Sequence, residues 1–296
     1  MIKLTINEEF NGFRIDKLIC SKFNISFAVA QKLIRQKKIK INSQYRQASC
    51  KIKNGDEVEV FINLDQRSLK KEKKAFIDNK QLKNFYDFVI YEDESILAID
   101  KPSGLATQGG SGIKISVDDF ARHNKWQLVH RLDKDTSGIL LIAKNKKIAD
   151  FLIKSFKDKS IKKTYLALVN KVVQKDCGTV NIPLRKKIQG KNEKVLPDFT
   201  EGKEAITNFK VLKRFKDYTL IELNPITGRT HQLRVHMKEL GYPILNDIKY
   251  GGKSVLRREL SKVMCLHAYK IVIKNYKNKN LEITTKLPKF NPNPFL

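Results

Sequence analysis

Near the start of the chain, apolar positions recur with the period of a helix. Ile15, Leu18 and Ile19 fall on one helical face, and a second helix is predicted to begin after Ser26 as its N-cap. Its buried stripe is predicted to be Phe27, Ala30, Leu33 and Ile34. An alternating strand at 38–42 and a turn at 54–56, leading into a strand at 57–61, should follow.

Beyond this module, short apolar runs predict a domain rich in strands. Strands are predicted at 88–91 and 96–100, the second ending at Pro102 and Gly104. A glycine-rich loop at 109–112 and a helix near 117–122 follow, with a later strand at 217–223. Between the two parts, from Asp65 to Lys83, the sequence is charged and has no clean period, as in a linker. We therefore expect a module at 1–62, a linker at 63–85 and a large domain at 86–296.

The charge of the chain favours a polyanionic partner. There are 59 Lys and Arg against 31 Asp and Glu, a formal net charge of +28. A lysine-rich composition is also expected from an AT-rich genome, so the charge alone leaves nucleic-acid binding and an ordinary solvated surface both open.

Several classes of protein lack support in the sequence. There is no run of 18 apolar residues, and the first ten residues do not look like a secretory signal, so we expect a cytoplasmic protein without a membrane partner. The four cysteines are far apart and form no CxxC pair, which indicates reduced thiols. The GGSG at 109–112 lacks the spacing of a phosphate-binding loop, so no nucleotide cofactor is expected.

A polar cluster lies directly before an apolar strand in residues 128–144, LVHRLDKDTSGILLIAK. Two carboxylates and two cations on a loop at a sheet edge would be exposed together, as in many active sites. An Asp-capped turn beside a solvated Arg–Lys pair is the alternative, and these residues alone do not decide between the two.

Four segments, taken in order, resemble the RluA family of pseudouridine synthases. They are HRLDKDTSGILLIAK at 130–144, KTYLALV at 163–169, GRTHQLRVHM at 228–237 and CLHA at 265–268. The resemblance implies an α+β fold with a pseudouridine synthase catalytic domain built on a largely antiparallel mixed sheet. It also implies an enzyme that needs no cofactor and no metal, with Asp133 as its nucleophile.

The resemblance further assigns roles around Asp133. Arg234 is implied as the cation that keeps Asp133 ionised, and Tyr165 as the ring that stacks on uracil, with a hydroxyl able to take part in proton transfer. Three residues are implied to contact RNA: Arg131, which would brace the gap left by a flipped nucleotide, Arg229, and the apolar Leu266. The histidines at 130, 231, 236 and 267 are expected to be a hydrogen-bonding scaffold.

The first 62 residues resemble the S4 RNA-binding domain. The segments 14–16 and 55–56 mark the match, and the module has twelve basic and six acidic side chains, a net charge of +6. The residues implied to face RNA phosphates are Arg14, Lys32, Arg35, Lys37 and Lys38. A solvated helix face is the alternative interpretation.

Within the family, the segments KPSGL at 101–105 and GGSG at 109–112 are most similar to the RluC-type members, which modify uridines of large-subunit ribosomal RNA. The expected partner is therefore 23S ribosomal RNA, either free or in a pre-ribosomal particle, and the expected state is a monomer. The alternatives are an RluD-type synthase, a non-catalytic RNA-binding assembly factor, and a metal-dependent nuclease using Asp133, Asp135 and His130.

Overall fold

A computed structural model describes residues 1–25, 27–61, 77–110, 112–189 and 192–288. The chain divides into two compact units, Met1–Phe76 and Ile77–Leu296. The predicted N-cap Ser26 and most of the predicted linker lie outside the described residues. No helix in the described ranges is long and apolar enough to cross a membrane.

The first unit is a small antiparallel sheet packed with two helices. Its elements are β1 (Ile2–Thr5), α1 (Ile15–Phe23), α2 (Phe27–Arg35), β2 (Ile39–Ile41) and β3 (Glu57–Val60). The strand order is β1-β3-β2, and both pairs are antiparallel. The apolar faces of both helices enter one core with the strands, so the helices and the two strands predicted from periodicity are present.

The buried stripe of α2 begins later than predicted, which corrects the expectation for Phe27. Phe27 is 44% exposed, whereas Ala30 and Ile34 are buried. Helical side chains point toward the N-terminus, and Phe27 is the first residue of α2, so its ring extends beyond the packed part of the helix.

The last residues of the predicted linker form a helix that lies within the second unit. Helix α3 (Asn79–Tyr86) starts at a capping box formed by Asp78 and Gln81. Phe85 of this helix is fully buried and stacks on Phe120, with ring centres 4.5 Å apart. Because α3 has few apolar residues among its polar and charged ones, the sequence shows no clear helical pattern here.

The second unit is built on a ten-stranded sheet. Its strands are β4 (Val89–Glu92), β5 (Ile96–Lys101), β6 (Gln127–Leu128), β7 (Ser137–Ala143), β8 (Ile161–Asn170), β9 (Cys177–Asn181), β12 (Ile206–Arg214), β13 (Tyr218–Pro225), β14 (Leu266–Tyr276) and β15 (Lys279–Thr284). Strands β10 (Leu184–Gln189) and β11 (Asn192–Pro197) form a separate hairpin. The helices that follow α3 are α4 (Val117–His123), α5 (Lys146–Lys157), α6 (Gln232–Glu239) and α7 (Ile248–Gly251).

The main path of the sheet runs β4-β5-β7-β14-β8-β13-β12-β9, with β15 paired to β14 and β6 to β7. The β7–β14 pair is parallel and the other described pairs are antiparallel, which confirms the predicted α+β class and largely antiparallel mixed sheet.

The β7–β14 pair depends on a glycine. Gly138 has a φ of +107°, and a Cβ at this position would lie 2.3 Å from the carbonyl oxygen of Ala268. Because glycine lacks a Cβ, the two backbones can approach closely here. The approach brings the loop before β7, which carries Asp133, beside the start of β14.

Candidate active site

A cavity of about 580 Å³ lies where the loop before β7 meets β8, the segment after β13 and the start of α6. Its lining brings together the six site residues that were predicted in this unit. They are Arg131, Asp133, Tyr165, Arg229, Arg234 and Leu266. Residues separated by more than 130 positions in sequence thus share one concave surface, as an active site requires.

The contact between Asp133 and Arg234 lies at the wall of this cavity. The Nη1 atom of Arg234 is 3.3 Å from Oδ2 of Asp133. The side chain of Arg234 is 5% exposed, whereas that of Asp133 is 17% exposed and so remains within reach of a ligand. The buried guanidinium therefore places a positive charge directly beside an accessible carboxylate.

A second carboxylate, Asp247, holds Arg234 from the other side. Its Oδ2 and Oδ1 atoms accept hydrogen bonds from Nε and Nη2 of Arg234, both at 2.8 Å. Burial disfavours the charge on Arg234, but the hydrogen bonds and charges of Asp247 and Asp133 outweigh it and raise the pKa of the guanidinium above its usual value. The sequence analysis missed Asp247, because it precedes a short helix and looks like an ordinary N-cap.

Two more side chains complete this network. His231 has its Nε2 atom 3.8 Å from Oδ2 of Asp133 and its Nδ1 atom 2.7 Å from the hydroxyl of Tyr250. The guanidinium of Arg234 lies 5.1 Å from the centre of the Tyr250 ring. Burial lowers the pKa of His231 and the charge of Arg234 lowers it further, although Asp133 opposes the shift. The imidazole is therefore neutral at neutral pH.

The loop that carries Asp133 is held by hydrogen bonds from the last residue of β5 and from the segment after it. The buried Lys101 donates three hydrogen bonds to backbone carbonyls, one of them to Lys134 at 3.1 Å. Burial lowers the pKa of Lys101 to about 8, against the charges of nearby aspartates. Thr107 donates to the carbonyl of Leu132 at 2.7 Å. These bonds fix the backbone on both sides of Asp133.

Tyr165 and Leu266 form the apolar side of the cavity. Tyr165 lies in β8, paired with Ala268 of β14 and Leu223 of β13, and its side chain is half-buried. Burial, with the charge of Asp133, raises the pKa of the phenol above its usual value. Its hydroxyl therefore stays protonated at neutral pH. Leu266 is buried at the first position of β14.

Cationic side chains surround the opening of the cavity. Arg131 and Arg229 are exposed, and Nε of Arg229 donates to the carbonyl of Glu204 at 2.9 Å. Two lysines that the sequence analysis did not single out, Lys157 and Lys159, are also exposed on the lining. The partly buried carboxylate of Asp133 thus shares the cavity with a rim of positive charge, which suits a phosphate-bearing ligand.

Three of the histidines that were expected to form a hydrogen-bonding scaffold, at 130, 236 and 267, make contacts within the fold. Nε2 of His130 accepts from the backbone NH of Leu141 at 2.8 Å. The nitrogens of His236 and His267 contact hydroxyl or carbonyl groups between 2.7 and 3.1 Å away. Among the described residues, no three His, Cys, Asp or Glu side chains are grouped to hold a metal ion. The nuclease alternative needed such a group around Asp133.

In the first unit, the predicted RNA-facing residues occupy one end of α2. Lys32, Arg35, Lys37 and Lys38 are all exposed at the C-terminal end of this helix and in the turn after it. Arg14 lies apart from this cluster and is half-buried, and its guanidinium pairs with both carboxylate oxygens of a buried aspartate at position 16.

Comparisons with known proteins agree on one family. Residues 95–239 match the family described as RNA pseudouridylate synthase. A protein of Rickettsia felis named ribosomal large subunit pseudouridine synthase C is 40% identical over 298 residues, covering 96% of each chain. A protein of Vibrio parahaemolyticus with the same name is 35% identical, covering 84% of this chain and 79% of its own.

A solved structure supports the same assignment. The human RNA pseudouridylate synthase domain containing 4 aligns with a TM-score of 0.60 and 26% identity, covering 72% of this chain and 93% of its own. The similarity to the Rickettsia protein extends over nearly the whole sequence. The chain therefore belongs to the RNA pseudouridylate synthase family.

Proposed function

We propose that this protein isomerises specific uridines of 23S ribosomal RNA to pseudouridine, as an RluC-type enzyme. The names of its relatives support the large ribosomal subunit as the source of the substrate. The proposal includes a cytoplasmic monomer that acts on ribosomal RNA, either free or within a pre-ribosomal particle.

The reaction breaks the bond between the sugar and a ring nitrogen and joins the sugar to a ring carbon. One proton leaves carbon and one is gained at nitrogen, so the product is an isomer and no oxidant or energy source is consumed. The enzyme must supply a nucleophile, a place for the detached base to turn, and a path for the proton.

The observation that carries the proposal is the Asp133–Arg234 contact inside a cavity that also exposes Tyr165. Asp133 is the nucleophile, and Arg234 stabilises its charged form. Tyr165 stacks on the uracil ring, and its protonated hydroxyl donates a hydrogen bond during the proton transfer.

The target base must leave the RNA stack to reach Asp133. Arg131 is exposed at the cavity and presents a planar guanidinium that can brace the gap left by the flipped base. Arg229 contacts the RNA backbone near the opening, while the buried Leu266 provides an apolar contact for the base.

The first unit is an S4-like RNA-binding domain in this proposal. Its exposed cluster at the end of α2, residues 32, 35, 37 and 38, contacts phosphates together with Arg14. Such contacts supply affinity without reading sequence.

The test is to map pseudouridine in ribosomal RNA from cells that lack this gene, complemented with the parent or with Asp133→Asn. The carboxamide keeps the shape of the side chain but cannot supply the anion, so the marks should be absent while RNA binding changes little. Asp135→Asn, which alters an exposed carboxylate on the same loop, should restore the marks. Full modification by Asp133→Asn would remove Asp133 from its role, and no difference between deleted and parent cells would refute the substrate.

A further inference from the structure

A chain of polar contacts runs from the β10–β11 hairpin to the cavity. The backbone NH of Val195 in β11 donates to the hydroxyl of Tyr250 at 3.2 Å. The same hydroxyl is 2.7 Å from Nδ1 of His231, whose Nε2 atom is 3.8 Å from Oδ2 of Asp133. Two side chains thus connect a backbone amide with the candidate nucleophile.

One direction of donation satisfies every group in this chain. A backbone NH only donates, so the oxygen of Tyr250 is the acceptor from Val195. The one hydrogen of the Tyr250 hydroxyl is then free to be donated to Nδ1 of His231. A neutral imidazole that accepts at Nδ1 has its proton on Nε2, the nitrogen nearer Asp133.

We propose that Tyr250 is a positioning residue that fixes His231 in its neutral Nε2–H form, with this N–H directed toward the carboxylate of Asp133. Because it concerns the reaction of the same cavity, the inference rests on the proposed function. His231 and Arg234 both approach Oδ2 of Asp133, so together they hold one oxygen and leave the other for bond formation.

The surroundings of Tyr250 support this role. Its ring packs against the guanidinium of Arg234 while its hydroxyl contacts His231, so one side chain touches both groups that approach Asp133. The backbone of His231 has a φ of +53°, a left-handed conformation that a residue other than glycine rarely adopts. Burial also favours the neutral imidazole by lowering the pKa of His231.

The 3.8 Å between His231 and Asp133 leaves room for this contact to tighten during the reaction. At 3.8 Å the two atoms are farther apart than in a hydrogen bond, and catalytic hydrogen bonds commonly tighten when the substrate is bound. A second contact joins α7 to the hairpin, because Nζ of Lys249 on α7 donates to the carbonyl of Glu193 on β11 at 2.9 Å.

The first test reads the tautomer of His231 directly. The full-length protein, labelled with nitrogen isotope in its five histidines, would be compared with Tyr250→Phe in long-range proton–nitrogen NMR spectra at neutral pH. The signal that disappears in His231→Asn identifies the residue. We expect the Nε2–H form in the parent and a mixture of tautomers in Tyr250→Phe. Tyr242→Phe, which alters a half-buried tyrosine of the same unit outside the cavity lining, should leave the signal unchanged.

The second test measures the reaction. Tyr250→Phe keeps the ring against Arg234, so RNA affinity should stay within about twofold of the parent, while the single-turnover rate falls about tenfold, the value of one hydrogen bond. An unchanged rate in a folded Tyr250→Phe would overturn the proposal. Detection of the Nδ1–H form of His231 in the parent would overturn it as well, and this measurement does not require the variant to fold. An inactive parent would instead refute the proposed function, and the tautomer would still decide the role of Tyr250.

Discussion

At the scale of single residues, the proposed reaction requires one charged carboxylate in a cavity partly closed to water. Burial favours the protonated form of a carboxyl group, and a neighbouring cation reverses that preference. A lone buried cation would be equally unfavourable, so Arg234 is itself paired with Asp247 through two hydrogen bonds. The guanidinium thus lies between two carboxylates, of which Asp247 orients it and Asp133 remains accessible.

Removing the orienting carboxylate should therefore affect both stability and rate. In Asp247→Asn, Arg234 loses its charged bidentate partner while remaining buried, and breaking such a pair typically lowers the free energy of unfolding by about 3 to 5 kcal/mol. Urea unfolding would measure this loss, and single-turnover pseudouridine formation should slow at the same time. Asp217→Asn, at an exposed carboxylate of the same unit, should change neither quantity. If Asp247→Asn behaves like Asp217→Asn, Arg234 is held by other contacts.

At the scale of elements, hydrophobic periodicity predicted helices and strands that bury one face in a core. The helices α1 and α2 and the strands β5 and β7 are where apolar spacing or apolar runs indicated them. Helix α3 and the β10–β11 hairpin were missed, because their exposed faces are charged and few of their residues are buried. Periodicity detects an element only when enough of its residues face a core.

The candidate site was predicted only as far as the family resemblance reached. Asp133, Tyr165 and Arg234 lie in the matching segments, and the structure places all three at one cavity. Asp247 and Tyr250 had no such signal, since an Asp before a helix and a tyrosine within it have ordinary local explanations. Their contacts arise from the packing of α7 against α6, which no local pattern encodes.

The parallel contact between β7 and β14 offers a test at this scale. Gly138→Ala places a Cβ against the backbone of Ala268 and forces a left-handed φ on alanine, so the free energy of unfolding should fall by at least about 2 kcal/mol. Gly241→Ala is the matched control. Gly241 has a φ of +84° but no atom within 4 Å of the added Cβ, so it should lose only the backbone term of about 1 kcal/mol. Equal losses of unfolding free energy in the two variants, measured by thermal or urea unfolding, would mean that the β7–β14 contact accommodates the added Cβ without loss of stability.

At the scale of the whole molecule, the net charge of +28 is spread over two units that are expected to use it differently. In the second unit, cations surround a cavity that contains the candidate nucleophile. In the first, they form an exposed cluster at one end of a helix, and the chemistry of the proposed reaction uses none of them. Affinity and chemistry should therefore be separable by mutation.

The separating variant replaces Lys32, Arg35, Lys37 and Lys38 with glutamine in the full-length chain. Every ion pair with a phosphate that the variant removes should reduce the slope of log affinity against log salt by about 0.7 to 0.9. The single-turnover rate at saturating RNA should stay near that of the parent, because Asp133, Tyr165 and Arg234 all belong to the other unit.

The control exchanges lysine and arginine at the same four positions, which keeps the charge and should keep the slope. An unchanged slope in the glutamine variant would mean that this cluster does not contact RNA phosphates. A loss of rate at saturation would mean that the first unit also contributes to the chemical step.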